Sequence, residues 1–178
     1  MDTKYFTKGA IDNAAGMYTL YKIVKLIKDK EYNYTIEFVP FNGEESPESS
    51  GELSYLKYLE ENEYKINTVI NIDGVGHTGS ENMLSFFNYD EKIKRDIIHN
   101  NTLLEGEQWY SSDHGIFALQ NIPCIAVTSS DMFTDTMKIT HTKSDTLKIV
   151  DIELLKTLSK IIESIIEKIN EKNKLLNF

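Results

Sequence analysis

The segment Ile122-Pro123-Cys124-Ile125-Ala126-Val127-Thr128 carries no charge and almost no polarity. A short, fully apolar run of this kind reads as a strand buried on both faces. Such a strand needs cover on both sides, and the flanking sequence supplies it. Residues 13–29 place Met17, Leu20, Tyr21, Val24 and Ile27 at three- and four-residue steps, the period of a helix that Asp12 or Asn13 can cap. From Asp151, a good cap, to about residue 169, the stripe Leu154, Leu155, Leu158, Ile161, Ile162, Ile165, Ile166, Ile169 backs onto a face of Lys and Glu. Shorter helices are expected over 52–61, 90–100 and 113–121. Thr68–Ile72 is a second buried strand, Met83–Asn88 a third, and the alternating, aromatic-rich stretch 33–41 a fourth. Strands alternating with helices predict a layered α/β domain with a largely parallel sheet.

Size and charge narrow the function. The chain has 178 residues, room for one domain with a real core and too few for two. Lys+Arg 19 against Asp+Glu 28 gives a net charge of −9, which repels phosphate backbones and argues against a nucleic-acid partner. The single cysteine, Cys124, excludes an internal disulfide and a thiolate zinc site, and its apolar setting makes it a buried, inert thiol. No apolar run is long enough to cross a membrane, and Met1-Asp2-Thr3-Lys4-Tyr5 has no signal-peptide core, so the compartment stays open.

In layered α/β folds ligands sit at the carboxyl ends of the strands. Acidic residues cluster there in this chain. Glu44 and Glu45 follow 33–41, Asp73 follows 68–72, Asp12 opens the first helix, and His141 lies in a loop after 122–128. Singly, each has an ordinary explanation: a solvated pair, a turn residue, a helix cap, a surface histidine. Together, four carboxylates at one sheet edge require either shared protons or a cation. Oxygen and nitrogen donors without thiolates suit zinc or a similar divalent ion, and a carboxylate shared by two ions is the usual device of two-metal hydrolases.

Five ordered segments give the chain a family resemblance. Gly9-Ala10-Ile11-Asp12-Asn13-Ala14-Ala15-Gly16 matches G-A-x-D-N-A-S/A-G. Phe41-Asn42-Gly43-Glu44-Glu45 matches F-x-G-E-E. Asn71-Ile72-Asp73-Gly74-Val75-Gly76 matches N-x-D-x-x-G, and His141-Thr142-Lys143-Ser144-Asp145-Thr146 matches H-T-x-x-D-T. Ser112-Asp113-His114-Gly115-Ile116-Phe117, followed by Asn121-Ile122-Pro123, is similar to S-D-H-x-x-F…G-I-P. The chain resembles the zinc aminopeptidases of the bacterial leucyl-aminopeptidase type, whose superfamily includes glutaminyl cyclases and the transferrin-receptor ectodomain. The resemblance implies a three-layer α/β/α fold of phosphorylase/hydrolase type with a mostly parallel mixed sheet, residues 1–178 forming one metallopeptidase domain. It implies a peptide substrate and two zinc ions: Asp12 bridging both, Glu45 and His141 on one, Asp73 on the other, and Glu44 as the base that deprotonates the attacking water. Trp109 and Tyr110, with Ile116 and Phe117, are candidates for a substrate side-chain pocket, and equally for ordinary core. Asp145 is a candidate to orient His141 or to cap the turn. Asp113 and His114 lie near the site with no assigned role.

Two departures matter. Ser46-Pro47-Glu48-Ser49-Ser50-Gly51-Glu52 replaces the family's glycine-rich continuation after Glu45. The family also has an upstream H-x-D segment at the end of a strand, which supplies one more histidine ligand. No histidine precedes Asp12 here; His77, His99 and His114 all lie downstream. The chain is therefore expected to be the C-terminal part of such a domain, N-terminally truncated. Three ligands then remain on one metal and two on the other, so one zinc or none is an expectation alongside two. Its sheet edge would be open to a complementing N-terminal segment or a second copy. Competing readings are a catalytically inactive binding or assembly module and an amidohydrolase or cyclase of the same superfamily.

Overall fold

The computed structural model describes residue 4 and residues 6–43, 50–101 and 103–176, with the side chains of all of these except 50, 100 and 172–176. Four strands, β1 (Val69–Ile72), β2 (Asn82–Phe87), β3 (Leu104–Glu105) and β4 (Cys124–Ser129), form one sheet in the order β1-β4-β2-β3. β4 runs parallel to β1, with Val69 opposite Cys124 and Ile72 opposite Val127. It runs antiparallel to β2, with Leu84 opposite Val127, and β2 is parallel to β3. The helices are α1 (Ala15–Ile27), α2 (Ser50–Glu61), α3 (Glu91–Asn101), α4 (His114–Leu119) and α5 (Ile152–Leu176).

The apolar run of β4 is buried throughout, and its side chains alternate between two cores. Ile125 and Val127, with Leu84 and Phe86 of β2, pack on Ile23 of α1, Ile97 of α3, and Leu155, Leu158, Ile162 and Ile165 of α5. Cys124 and Ala126, with Phe87 of β2, pack on Leu59 of α2, Trp109, and Phe117 and Ala118 of α4. Helices therefore cover both faces of a mixed sheet, the three-layer arrangement expected. Asp151 caps α5 as predicted: its Oδ1 accepts the N–H groups of Glu153 and Leu154 at 2.9 and 3.1 Å. The helix continues past the expected residue 169 to Leu176. No helix among the described residues is long and apolar enough to cross a membrane.

The stretch 33–41, expected as a strand, forms none. Its alternation is real: Tyr32, Tyr34, Ile36 and Phe38 are half-buried while 33, 35 and 37 are exposed, and Tyr32, Ile36 and Phe38 pack on the α1–α5 core. Among the described residues, however, no backbone–backbone hydrogen bond joins it to another segment; the Asn33 N–H goes instead to the Asn170 side chain at 2.8 Å. A ladder needs a partner edge about 4.8 Å away. A cavity of about 550 Å³, lined both by this stretch and by β1, lies where that partner would run.

Two outcomes follow from the core. Leu158→Ala empties a fully buried site between α5 and the sheet and is expected to cost about 2–5 kcal/mol in denaturant unfolding. Leu147→Ala, at a side chain 77% exposed, should stay within about 0.5 kcal/mol of the parent. Burial pushes the Cys124 thiol up to about 12. A thiol reagent at mildly alkaline pH should therefore leave the folded chain untouched and react after unfolding; fast stoichiometric reaction of the native chain would contradict the buried position.

Candidate metal centre

Asp12 sits in a single wide turn, Ala10–Ala14, in which Asp12 and Asn13 depart from helical geometry before α1 begins. Two side chains hold that turn. The Asp145 carboxylate accepts the N–H of Ile11 at 2.7 Å and of Asp12 at 3.3 Å. The Asn13 amide donates to the Ile72 carbonyl at 2.9 Å, and its oxygen accepts the Gly16 N–H at 3.0 Å. Gly16 makes this approach possible, since a Cβ there would lie 2.2 Å from Asn13 Oδ1 and 2.6 Å from the Ile72 oxygen. Asp145, expected either to orient His141 or to cap its turn, thus fixes the backbone under Asp12.

His141 meets Asp12 directly. Its Nε2 lies 2.7 Å from Asp12 Oδ2, and the Lys4 ammonium donates to its Nδ1 at 3.1 Å. That pair of contacts places the ring proton on Nε2, facing the carboxylate. His141 holds φ at 62°, in the left-handed region. A non-glycine residue kept there marks a position that the surrounding loop over-determines.

Asp73 follows β1, and its Oδ2 accepts the Ser112 hydroxyl at 2.8 Å. Behind Ser112 stands Asn71, whose amide donates to Ser112 Oγ at 2.9 Å and approaches His114 Nδ1 at 3.1 Å. His114 Nε2 donates to the Trp109 carbonyl at 2.7 Å, which leaves Nδ1 as the acceptor for Asn71. Burial lowers the His114 pKa, against the raising effect of its bond to Trp109, and keeps the ring neutral in this role. Trp109 packs edge-on against His114 and against Phe133, with ring centroids 4.6 and 5.8 Å apart. It is a core residue, whereas Tyr110 is half exposed with its ring against Phe87. Of the other pocket candidates, Phe117 is buried in the α2–α4 core and Ile116 packs against it.

Asp12, Asn13, Asp73, Ser112 and Asp113 all line the same cavity, the one beside β1. His77 is engaged elsewhere, 2.8 Å from Asp131 Oδ2 and 3.0 Å from the Thr136 hydroxyl. Glu44 and Glu45 lie outside the described residues. Among the described residues no three His, Cys, Asp or Glu side chains gather into a metal-holding group. What is present fits zinc by donor chemistry: a carboxylate and an imidazole in contact, with a second, hydrogen-bonded carboxylate on the same cavity. Sequence reasoning read Asn13 only as a possible cap of the first helix and gave Asn71 and Ser112 no role at the site. All three stand inside the motif segments, which was the signal available.

Comparison with known proteins follows the same line. Among solved structures, a zinc aminopeptidase from Bacillus subtilis superposes with a TM-score of 0.80 at 24% identity, over 94% of this chain and 44% of that one. An aminopeptidase from Aneurinibacillus sp. strain AM-1 gives 0.77 at 21%, over 93% and 40%. A glutaminyl cyclase from Porphyromonas gingivalis gives 0.68 at 18%, over 91% and 64%. The chain thus spans less than half the length of the two aminopeptidases, with which it shares the fold. No curated protein matches it. The model of peptidase family M28 matches residues 1–166 of the 178, and on that extent of match the chain belongs to peptidase family M28.

Proposed function

We propose that residues 1–178 act as one catalytic unit, the C-terminal part of a metal-dependent aminopeptidase domain that hydrolyses the N-terminal peptide bond of its substrate. The observation that carries this reading is the contact of Asp12 with His141 beside the cavity that Asp73 also lines. Asp12 would bridge two zinc ions, with Glu45 and His141 completing one ligand set and Asp73 serving the other. When bound, zinc supplies the Lewis acidity that polarises the scissile carbonyl. Glu44 takes the proton of the attacking water and returns it to the leaving amine. Asp145 keeps the Asp12 turn in place through the amides of residues 11 and 12, and Ser112 keeps Asp73 turned by donating to Oδ2.

A second reading is a non-catalytic binding or assembly module, motivated by β1 standing at the end of the strand order among the described residues, where a complementing segment or a second copy would join.

Zinc content separates the two. After soaking and removal of excess metal, one or two equivalents per folded chain are expected, falling in Glu45→Ala and His141→Ala. A folded chain that retains none supports the module instead. Asp12→Ala should lose all bound zinc at once; loss of one equivalent out of two would remove its bridging role. In any form of the protein that turns over aminoacyl amides, Glu44→Gln should lower kcat by about 10²–10⁴-fold with zinc content unchanged. Undiminished turnover would exclude Glu44 as the base.

A further inference from the structure

His77 takes no part in the candidate centre, yet it stands between the two loops that carry candidate ligands. The loop after β1 runs from Asp73 to β2, and the loop after β4 runs from Ser130 to His141. Both leave from the same strand end. The Asp73 N–H donates to the Val127 carbonyl at 3.0 Å, and the Ser129 N–H to the Gly74 carbonyl at 3.1 Å. Beyond that point the second loop turns outward. Residues 133–135 and 137–138 are exposed, and between them Thr136 is fully buried. A buried hydroxyl costs stability unless it is hydrogen-bonded.

The partner is the His77 ring, itself only 12% exposed. Its Nδ1 lies 2.8 Å from Asp131 Oδ2 and 3.0 Å from Thr136 Oγ1. A carboxylate only accepts, so Nδ1 carries the ring proton. The Thr136 hydroxyl donates to Asp131 Oδ1 at 2.8 Å, which leaves its own oxygen free to accept from the same Nδ1–H. The three side chains close a triangle. Burial pushes the Asp131 carboxyl up, but hydrogen bonds from Ser80, Thr136 and His77 outweigh it and hold the group below the usual carboxylate range. Among the described residues, the contact between His77 and Thr136 is the only hydrogen bond that reaches residues 132–140 from outside 129–142.

His77 is a fixed post. The Thr78 N–H donates to the Ile149 carbonyl at 2.9 Å and the Asp151 N–H to the Gly76 carbonyl at 2.8 Å, so the backbone on either side of His77 is tied to the segment that opens α5. From Thr136 the constraint passes along the loop. The Thr136 carbonyl accepts the N–H groups of Ile139 and Thr140, both at 2.9 Å, and the Ile139 carbonyl accepts that of Thr142 at 3.1 Å. These turns deliver His141 in its left-handed conformation, with Nε2 against Asp12.

We propose that His77 is a positioning residue for His141: bonded to Asp131 and Thr136, it holds the 131–140 loop against the loop of Asp73 and so sets where the His141 imidazole lies relative to Asp12. Its effect on zinc rests on the metal-centre reading; its effect on the His141 ring does not, and the experiment measures both.

In the metal-free chain, the ring ¹⁵N signals of His141 should show one tautomer, with the proton on Nε2. His77→Leu removes the donor and keeps bulk; Thr136→Val removes the hydroxyl and keeps shape. In each variant, with cooperative unfolding retained, the two ring nitrogens of His141 should average, and zinc affinity measured against a competing chelator should fall about tenfold. His77→Asn places an amide nitrogen where Nδ1 stood and should restore both. In a His141→Ala background, His77→Leu should cost no further zinc affinity, whereas general loosening of the fold would cost the same in both backgrounds. The proposal is overturned if folded His77→Leu and Thr136→Val chains keep the parent His141 signals. It is also overturned by an equal loss of affinity in the His141→Ala background, or by a His77→Asn chain no better than His77→Leu. A parent chain that shows the single tautomer and binds no zinc would sink the zinc reading instead, and the ring signals of the variants would still decide the role of His77.

Discussion

The molecule is organised by β4. Four of its six buried residues are divided between two cores, with Ile125 and Val127 on the side of α1 and α5 and the smaller Cys124 and Ala126 on the side of α2 and α4. A strand with no exposed face cannot tolerate a shift of register, because a one-residue slip would exchange the two cores. The parallel pairing of β1 with β4 inherits that rigidity, and it also decides where the chemistry lies. Parallel neighbours end on the same edge of the sheet, so the loop that carries Asp73 and the loop that leads to His141 leave side by side. The Asp73 N–H bonded to the Val127 carbonyl is the direct link between the packing of the core and the position of a candidate ligand.

How much of this was legible in the sequence depends on whether a feature is local. The apolar run of β4, the stripe of α5 and the Asp151 cap are properties of single segments, and they fold as their patterns say. So does the alternation in 32–38. Whether that alternation becomes a strand depends on a neighbouring edge, and no periodicity within the segment can report one. The convergence of Asp12, Asp73 and His141 on one side of the sheet was readable from strand ends. The finer assignments were not. Asp145 was read against the nearby histidine, but its carboxylate reaches across to the amides of 11 and 12, a contact set by tertiary packing. Trp109 and His114 could not be told apart from pocket residues by type, because an aromatic against an imidazole serves a core as well as a rim. The Glu44–Glu45 pair lies outside the described residues, so its legibility rests on the motif alone.

The candidate centre is built on backbone held by side chains more than on regular structure. Asp145 and Asn13 fix the turn of Asp12, the left-handed His141 closes the opposite loop, and Asn71 and Ser112 hold Asp73 from behind. Carboxylates at such a site gain orientation from donors that cannot themselves be displaced by water without orphaning a buried group. The neutral His114, locked between the Trp109 carbonyl and Asn71, ties this hydrogen-bonded chain to the aromatic core.

One contact near the site has a consequence for the sheet as a whole. The Asn13 amide occupies the carbonyl of Ile72, the last residue of β1, on the side away from β4. A side chain placed there works as an end stop for the ladder. Any strand laid along β1 is metered from that point: it can run back toward Val69, and it cannot slide forward past Ile72. The same asparagine shapes the Asp12 turn, so the place where pairing must cease and the place where the acidic cluster begins are set by one residue.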